Sequence, residues 1–317
     1  MPLKIALTGA TGFVGRAVVS ALMAKSCQVS ALVRDPARAG LNSNVRQVQG
    51  DLQNSAALDD LTRNADAVVH IAGVIGGLSR NDFFLANEQG SRAVAEAAAR
   101  NGIKRLVHIS SLAAREPGLS MYGASKRAGE VAVEEFKTRM SVVVLRPPAV
   151  YGPGDRGTLP LLRSLTQAFA VIPGTSASRF SLIYVDDLAR IIVEAVEATR
   201  AGTVELDDGQ RQGYGWKDLA QIASATEKKS ITPIFLPKSV AMAVGVGVEA
   251  FAKATGKLPF VSRDKIQQLY FNDWIARGEG WPLNEPVGFA QGFKSTVDWY
   301  RKAQWLPERY DTRKIVT

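Results

Sequence analysis

Cysteine and histidine are scarce in this chain of 317 residues, which contains one cysteine, Cys27, and two histidines, His70 and His108. A single cysteine excludes both an internal disulfide and a metal cluster built on cysteine ligands. Each histidine lies in an apolar, strand-like run, where a ring that packs or makes a local hydrogen bond is more common than a metal ligand. The sequence therefore predicts no metal site.

Long apolar segments are also missing. No uninterrupted apolar run reaches the roughly 18 residues that a spanning helix needs, and the first residues, MPLKIALTGATG, lack the charged start and the cleavage site of a secretory signal. We therefore expect a cytoplasmic protein. The apolar stretch at 239–252, SVAMAVGVGVEAFA, has a lysine near each end. It fits a buried helix best, with a lid helix or a peripheral contact with a membrane surface as alternatives.

The formal net charge is +9, but the lysines and arginines are scattered along the chain. Because no basic block interleaves with aromatic residues, binding to nucleic acid is not expected. A positive protein attracts anionic small molecules over long distances, which accounts for the charge equally well. The expected partner is a small-molecule substrate, and the sequence leaves a homodimer open.

Short apolar runs alternate with amphipathic stretches through the first half of the chain. Predicted strands cover 4–7, 28–33, 45–48, 67–71, 106–109 and 142–145, and predicted helices cover 13–24, 56–63, 83–100 and 125–137. This alternation is typical of a doubly wound parallel sheet, whose strands are apolar throughout because helices cover both faces. The predicted fold class is α/β, with a Rossmann-type doubly wound sheet in residues 1–150 and a smaller mixed lobe in 151–317.

The alternation stops after Arg146. The stretch RPPAVYGPGDRGTLP is rich in proline and glycine and marks a long loop that leaves the sheet. Beyond it, predicted helices cover 159–168, 186–198, 238–253, 263–271 and 292–303, and predicted strands cover 203–206 and 231–235. We expect some of these segments to return to the sheet and the others to form the smaller lobe.

A glycine-rich turn, TGATGFVG at 8–15, joins the first predicted strand to the first predicted helix. Gly9 permits the tight turn, Gly12 lets a diphosphate approach the backbone, and Gly15 allows the helix to pack closely on the strand. The free N–H groups at the start of the helix then face the diphosphate. This strand–turn–helix context predicts a dinucleotide site formed by Gly9, Thr11, Gly12, Phe13, Val14 and Gly15.

Several ordered motifs in about the first 190 residues resemble those of the extended short-chain dehydrogenases/reductases. They are TGATGFVG at 8–15, GDL at 50–52, HIAG at 70–73, NEQG at 87–90, YGASK at 122–126 and RPPAVYG at 146–152. The resemblance implies a Rossmann fold that binds a nicotinamide dinucleotide. It also implies that the adenine lies between Asp51 and Leu52, that Ala72 and Gly73 line the path of the cofactor, and that the nicotinamide is bordered by Pro147 and Val150.

The tip of the second predicted strand, Arg34-Asp35-Pro36, bears on the choice of cofactor. An arginine there accommodates the 2′-phosphate of NADP(H), whereas an acidic residue accepts the ribose hydroxyls of NAD(H). Arg34, with Arg38 within reach, favours NADP(H). Asp35 leaves NAD(H) open, unless its side chain caps the helix that Pro36 begins.

Tyr122 and Lys126 are four residues apart, a spacing that places both on one face of a helix. In the resembled family the tyrosine hydroxyl exchanges a proton with the substrate oxygen, while the lysine lowers the tyrosine pKa and holds the nicotinamide ribose. A hydroxyl at the end of the fifth strand would stabilise charge on the substrate oxygen. Ser111 matches that position best, and Ser110 is the alternative. The predicted catalytic set is therefore Ser111, Tyr122 and Lys126.

Only ten residues separate Ser111 from Tyr122, fewer than in the sugar-nucleotide epimerases of the family. The short loop resembles the NADPH-binding subunit of respiratory complex I, and the run VRDP at 33–36 resembles the dihydroflavonol-reductase-like branch. We therefore expect an NADP(H)-dependent oxidoreductase that acts on a carbonyl or secondary alcohol of a small apolar or amphipathic substrate. The alternatives are a cofactor-binding scaffold without turnover and a sugar-nucleotide epimerase or dehydratase.

Overall fold

Parallel strands dominate the structure, a computed structural model that describes residues 1–77, 79–255 and 262–308. The strands are β1 (Lys4–Thr8), β2 (Gln28–Val33), β3 (Arg46–Gln49), β4 (Ala67–His70), β5 (Arg105–Ile109), β6 (Ser141–Arg146), β7 (Ala149–Tyr151), β8 (Phe169–Pro173), β9 (Arg179–Phe180), β10 (Leu182–Tyr184), β11 (Gly202–Glu205), β12 (Tyr214–Gly215), β13 (Thr232–Leu236) and β14 (Asp273–Trp274). Seven of them form one parallel sheet in the order β3-β2-β1-β4-β5-β6-β11. The order reverses between β1 and β4, which is where such sheets bind ligands beyond the carboxyl ends of the strands.

Helices connect these strands. They are α1 (Phe13–Ala24), α2 (Pro36–Ala39), α3 (Ser55–Thr62), α4 (Arg80–Phe84), α5 (Gly90–Arg100), α6 (Met121–Glu134), α7 (Leu159–Ser164), α8 (Val185–Glu197), α9 (Trp216–Glu227), α10 (Lys238–Thr255), α11 (Arg263–Leu269) and α12 (Phe289–Lys302). A π-helical turn at Leu85–Gln89 joins α4 to α5, and two 3-10 turns, Leu112–Arg115 and Pro117–Leu119, lie between β5 and α6.

Each face of the large sheet carries its own hydrophobic core. Ile5 and Leu7 of β1 share a core with α1 and α8, whereas the intervening Ala6 shares one with α3 and α5. Successive side chains of a strand point to opposite faces, so a strand covered on both sides must be apolar at every position. The fold class predicted from the sequence, an α/β Rossmann sheet, is confirmed.

Three of the predicted helices differ most from the structure, and α9 and several short strands were not predicted. The helix predicted over 83–100 is divided by the π-helical turn. The helix predicted to start at residue 125 begins at Met121, because the Ser120 side chain caps it by accepting from the N–H of Gly123. The helix predicted over 159–168 ends at Ser164, and the strand β8 that follows pairs with the distant β13.

The second half of the chain divides between the sheet and a smaller lobe. α8 and β11 return to the large sheet, where β11 extends its edge beside β6. The lobe has a separate core rich in aromatic side chains, among them Tyr151, Phe289, Phe293 and Tyr300. Within the described residues, no helix is both long enough and apolar enough to cross a membrane.

Candidate functional site

The turn after β1 is shaped by its three glycines. Gly9 has a φ of +81°, and a β-carbon there would lie 2.6 Å from the amide nitrogen of Ala72. A β-carbon on Gly15 would lie 2.0 Å from the carbonyl oxygen of Gly9, so α1 can approach the turn only without a side chain at this position. Both residues must be glycine for β1, α1 and the segment after β4 to meet.

The start of α1 presents unused hydrogen-bond donors. No side chain caps the helix at Gly12, and its first helical hydrogen bond runs from the N–H of Arg16 to the carbonyl of Gly12, over 3.0 Å. The N–H groups of Phe13, Val14 and Gly15 lie between those two residues, where an α-helix has no internal acceptor for them. Gly12 and the preceding Thr11 are exposed. This cradle fits the diphosphate of a dinucleotide.

The charged side chains at the tip of β2 differ in their partners. Asp35 caps α2, accepting from the N–H of Ala37 at 3.1 Å, and its second oxygen lies 3.4 Å from Nε of Arg38. Arg34 is exposed, and no described residue forms a hydrogen bond or an ion pair with its guanidinium. Asp35 therefore caps α2, which is the role considered for it from the sequence. The guanidinium of Arg34 is free to bind an anion.

Arg16 was not among the residues selected from the sequence. Its guanidinium donates to the carbonyl oxygens of Ala39 and Gly40, each at 2.9 Å, and of Thr11, at 3.2 Å. These bonds fix the end of α2 beside the glycine-rich turn. The sequence did contain a signal for this role, since Arg16 directly follows the glycine motif at 8–15.

The other predicted cofactor residues follow the carboxyl ends of neighbouring strands. Asp51 is exposed beyond β3, and its carboxylate accepts from the N–H of Gln53 at 2.9 Å. Leu52 packs on Gly90. Ala72 and Gly73 lie beyond β4; Pro147 is buried beyond β6, and Val150 lies half-buried in β7. Because the strands are parallel, these positions share the edge of the sheet at which the glycine-rich turn lies.

Ser111, Tyr122 and Lys126 meet at the end of β5. The Ser111 hydroxyl accepts from the N–H of Ala113 at 3.2 Å and lies near enough to the Tyr122 phenol to lower its pKa. Lys126, one helical turn after Tyr122, is buried and donates from Nζ to the carbonyl oxygen of Ile109, the last residue of β5, at 2.6 Å. A β-carbon on Gly73 would lie 3.8 Å from the same Nζ, so the ammonium reaches the path expected for the cofactor.

Burial affects both titratable groups of this set. It lowers the pKa of Lys126 to about 8, although the nearby Glu130 carboxylate acts in the opposite direction. Burial raises the pKa of the Tyr122 phenol, and the nearby Ser111 hydroxyl opposes that rise. The pKa of Tyr122 is therefore raised, whereas the family resemblance implies a lowered pKa. At neutral pH the phenol carries its proton and can donate it.

Ser110, the alternative to Ser111, has a different partner. Its hydroxyl donates to Oε1 of the fully buried Glu130 at 2.6 Å. Glu130 also accepts from Arg127 and from Arg146. Burial alone would raise the pKa of the Glu130 carboxyl, but these hydrogen bonds together hold it below its ordinary value. Glu130 is thus a permanent anion one turn after Lys126. Sequence reasoning missed Glu130 because its partners Ser110 and Arg146 are distant in the chain.

The ionic network extends from Glu130 to the smaller lobe. Arg146 also lies 3.4 Å from Glu205, which accepts in turn from Arg115 at 3.1 Å. Arg115, in the short loop between Ser111 and Tyr122, donates to the carbonyl oxygens of Ile275 and Asp273, at 2.7 and 2.5 Å. The loop above Tyr122 is therefore tied to the segment that includes β14.

Asn87 occupies the π-helical turn beside Lys126. Its side chain is buried, accepts from the N–H of Val74 at 2.8 Å, and donates to the carbonyl of Val74 and to the Ser125 hydroxyl. A β-carbon on Gly129 would lie 2.1 Å from the Asn87 carbonyl oxygen, so α6 packs directly on this turn. Asn87 thereby fixes the segment after β4 against α6.

The two histidines lie in the sheet beneath the site. His70 bridges the hydroxyls of Thr8 and Ser91, at 2.6 and 2.9 Å, and its ring stacks on that of His108 at 5.2 Å between centroids. Within the described residues, neither ring nitrogen of His108 has a hydrogen-bond partner. Burial lowers the pKa of His70 to about 3 and lowers that of His108 well below its ordinary value. Both rings are neutral.

The three arginines of the smaller lobe that could hold a second diphosphate have other partners. Arg179 pairs with Asp218 at 3.0 Å, and Arg211 pairs with Asp207 at 3.1 Å. The guanidinium of Arg156 lies 5.0 Å from the centre of the Trp305 ring. The structure does not bring these cations together at one anion site.

Comparison with known proteins identifies the family. Residues 5–206 match the NAD dependent epimerase/dehydratase family. A ceramide reductase of Caulobacter vibrioides is 40% identical over 311 residues, which cover 96% of each chain. A putative dihydroflavonol 4-reductase of Synechocystis is 26% identical over 93% of this chain and 94% of its own. The mitochondrial 40 kDa subunit of NADH-ubiquinone oxidoreductase of Neurospora crassa is 25% identical over 84% of this chain and 70% of its own.

The fold has a counterpart among solved structures. UDP-glucuronic acid 4-epimerase from Bacillus cereus, in complex with NAD, superimposes with a TM-score of 0.68 at 22% identity, over 95% of this chain and 97% of that chain. The resemblances to the dihydroflavonol-reductase and complex I branches are confirmed by the relatives above. The chain belongs to the NAD-dependent epimerase/dehydratase family, the extended short-chain dehydrogenases/reductases, and is an NAD(P)-dependent oxidoreductase.

Proposed function

We propose that this protein is a cytoplasmic NADP(H)-dependent reductase that acts on a ketone of an amphipathic, ceramide-like lipid. One observation carries the reductase assignment: the Ser111 hydroxyl lies near enough to the Tyr122 phenol to lower its pKa, and Lys126 binds the last carbonyl oxygen of β5 beside them. The lipid assignment is supported by the ceramide reductase relative, whose 40% identity extends over both chains almost completely. That coverage includes the smaller lobe, where this family selects substrates.

The chain supplies a proton and an oxygen-binding site, and bound NADPH supplies the hydride. The Ser111 hydroxyl donates to the ketone oxygen and stabilises the charge that develops there. Tyr122 transfers its phenolic proton to the same oxygen. The Lys126 ammonium stabilises the phenolate left behind, because an adjacent cation favours the charged form of the phenol. At neutral pH Tyr122 carries the proton that ketone reduction consumes, because burial raises the pKa of its phenol.

NADP(H) is the proposed cofactor because of the charges at the tip of β2. The Asp35 carboxylate, which could accept ribose hydroxyls, is used by the N–H of Ala37 and by Arg38. Arg34 is exposed and has no described partner. A phosphate on the adenosine ribose would give that guanidinium a charge-assisted hydrogen bond.

A sugar nucleotide is a poorer substrate for the smaller lobe. Its diphosphate needs cations, because burying that charge unpaired is costly, and Arg179 and Arg211 are already bound to carboxylates. The short loop after Ser111 is in addition held to the smaller lobe by Arg115. These contacts favour a substrate without a second diphosphate.

The proposal is tested with purified protein, NADPH and a panel of three substrate types: an N-acylated 3-oxo sphingoid base, short-chain ketones, and UDP-sugars. We expect NADPH oxidation with the oxo lipid and formation of its alcohol, detected by mass spectrometry, and none of either with the Tyr122→Phe variant. Turnover of a UDP-sugar with none of the oxo lipid would reject the lipid assignment. Tight NADPH binding without hydride exchange across the whole panel would instead support a cofactor-binding scaffold.

A further inference from the structure

The outer face of α10 is apolar and uncovered. Val244 is 50% exposed and Phe251 67%, and Val240 and Val246 are exposed to a similar extent. The spacing of Val240, Val244 and Phe251 places them along one side of the helix. A helix face that meets only water is normally polar or charged, so this face is unusual for an exposed surface.

The inner face of α10 is held to α11. A β-carbon on Gly245 would lie 2.6 Å from Cδ1 of Ile266, and Ala241 and Ala252 are buried. Glu249 accepts from both the main-chain N–H and the Nε of Arg263, at 2.7 and 2.8 Å. The helix is therefore fixed in its orientation, and its outer side chains are exposed as a consequence of that packing.

A second apolar surface precedes α10 in the chain. In the parallel pair β8–β13, Phe169 is 66% exposed, and Val171 and Ile234, which are register partners, are also exposed. The intervening Ala170 and Ile172 are fully buried, so the pair has one inner and one outer apolar face. Only Pro237 separates β13 from α10. Large exposed apolar surfaces of this kind mark contacts with membranes or proteins.

Positive charge predominates in the segments that carry these surfaces. In residues 228–255 and 262–269 the only acidic residues are Glu249 and Asp264; the first is bound by Arg263, and the second accepts from the N–H of Met121. Lys228, Lys238 and Lys265 are exposed. An anionic lipid headgroup complements these lysines. A second copy of the chain does not, because a two-fold interface would place this basic surface against itself.

We propose that the outer faces of α10 and of the β8–β13 pair, here called the apolar face, dock on an anionic lipid bilayer. The elements lie in the plane of the interface, their valine and phenylalanine side chains enter the acyl boundary, and the lysines contact the headgroups. α11 links this face to the site, because Asp264 and Gln268 bond Met121 and Ser120 at the start of α6. A lipid substrate would thus leave the bilayer one helix away from Tyr122.

The docking is measured by flotation of the full-length protein with vesicles of phosphatidylcholine alone or mixed with phosphatidylglycerol. We expect binding to the anionic vesicles, weakened by added salt and by removal of phosphatidylglycerol. The double variant Val244→Glu/Phe251→Glu is expected to bind at least about tenfold more weakly, since two apolar side chains lose their burial. The matched control is Val131→Glu, which places the same charge at a similarly exposed valine on α6 and should bind like the wild type.

The proposed function explains what docking would achieve, which is access to a lipid substrate. Docking itself follows from the surface alone, so the two proposals can fail separately. Wild-type protein that stays unbound at every lipid composition, or a double variant that binds as well as the wild type, would overturn docking. A dimer that the double variant dissociates, without lipid binding, would assign the apolar face to a second copy and overturn it equally. Docking without any reduction of the oxo lipid would reject the proposed function alone. NADPH oxidation with a water-soluble ketone analogue should be unchanged in the double variant.

Discussion

Arg146 and Glu130 form a bidentate ion pair, with Nε and Nη2 of the guanidinium 2.7 and 2.6 Å from the two carboxylate oxygens. Glu130 is fully buried on α6, one turn beyond Lys126, and the Arg146 side chain is 12% exposed. The Glu130 carboxylate is the group that raises the pKa of Lys126 against the effect of burial. Glu130 is therefore a positioning residue, which acts on the reaction through the charge of Lys126.

The first prediction concerns this carboxylate. Ketone reduction requires the Lys126 ammonium, whose pKa of about 8 predicts a rate that falls as the pH rises above about 8. Replacing Glu130 with Gln removes the anion that favours the ammonium, so the fall should begin about one pH unit lower. The measurement is kcat/KM for ketone reduction as a function of pH.

Arg127→Gln is the control for this experiment, because Arg127 bonds the same carboxylate from a more exposed position. It should leave the alkaline limb near that of the wild type. A Glu130→Gln profile that is lower at every pH but unshifted would mean that Glu130 acts on folding rather than on Lys126.

The second prediction concerns Tyr122. Tyr122→Phe removes the proton donor but keeps the ring, so kcat should fall by about 10²–10⁴. NADPH affinity should stay within a few-fold, because the ammonium near the cofactor path belongs to Lys126. Single-turnover rates and fluorescence titration measure the two effects. Activity retained in the Phe variant would remove Tyr122 from the proton transfer.

The third prediction concerns Arg34. NADPH should bind more tightly than NADH, by about 10- to 100-fold if one charge-assisted hydrogen bond to the phosphate is the difference. Arg34→Asp should reverse the order. The control is Arg63→Asp, which makes the same change of charge at the C-terminal end of α3. This end lies far from the site, because a helix that connects two parallel strands runs back to the amino ends of the strands. The control should keep the preference for NADPH. Equal affinities for both cofactors, unchanged by Arg34→Asp, would contradict the assignment.

The fourth prediction compares the two histidines. His70→Leu leaves the hydroxyls of Thr8 and Ser91 without this partner and should cost about 2–3 kcal/mol of unfolding free energy at neutral pH. His108→Leu removes a ring whose nitrogens have no described partner, and its effect should stay within about 1 kcal/mol. Urea unfolding of both variants measures the difference.

The same pair predicts a dependence on pH. Both rings have a pKa below the ordinary 6.5 in the folded protein. The unfolded chain therefore binds more protons below pH 6.5, and stability is lost as the pH falls from 6.5 towards 3. His108→Leu should lose less stability than the wild type between about pH 7.5 and 5. An identical pH dependence would show that His108 does not contribute to it.

The central sheet and the nucleotide turn could be predicted because their signals are local. The roles of Gly9 and Gly15 follow from a motif of eight residues, and the strands were found because each is a short apolar run. The start of α6 was missed although its signal was local too. Serine is a common N-cap residue, and the Ser120 hydroxyl accepts from the N–H of Gly123, three residues later.

Other features depend on residues that are distant in the chain. The π-helical turn at Asn87 packs against α6 at Gly129, and no periodicity within 83–100 records that contact. β8 pairs with a strand 63 residues later, so no local signal predicted its five residues, and the helix predicted before it was extended over 165–168. The bond from Ser110 to Glu130 likewise distinguishes Ser110 from Ser111 only once α6 is packed on β5.

Arg115 makes the smaller lobe depend on the length of the loop after Ser111. Its guanidinium holds the loop after Ser111 to Asp273, Ile275 and Glu205 at once. An insertion between Ser111 and Arg115 would carry the arginine away from all three acceptors. The length of this part of the loop and the anchoring of β14 are therefore coupled: a longer loop there would need another support for β14.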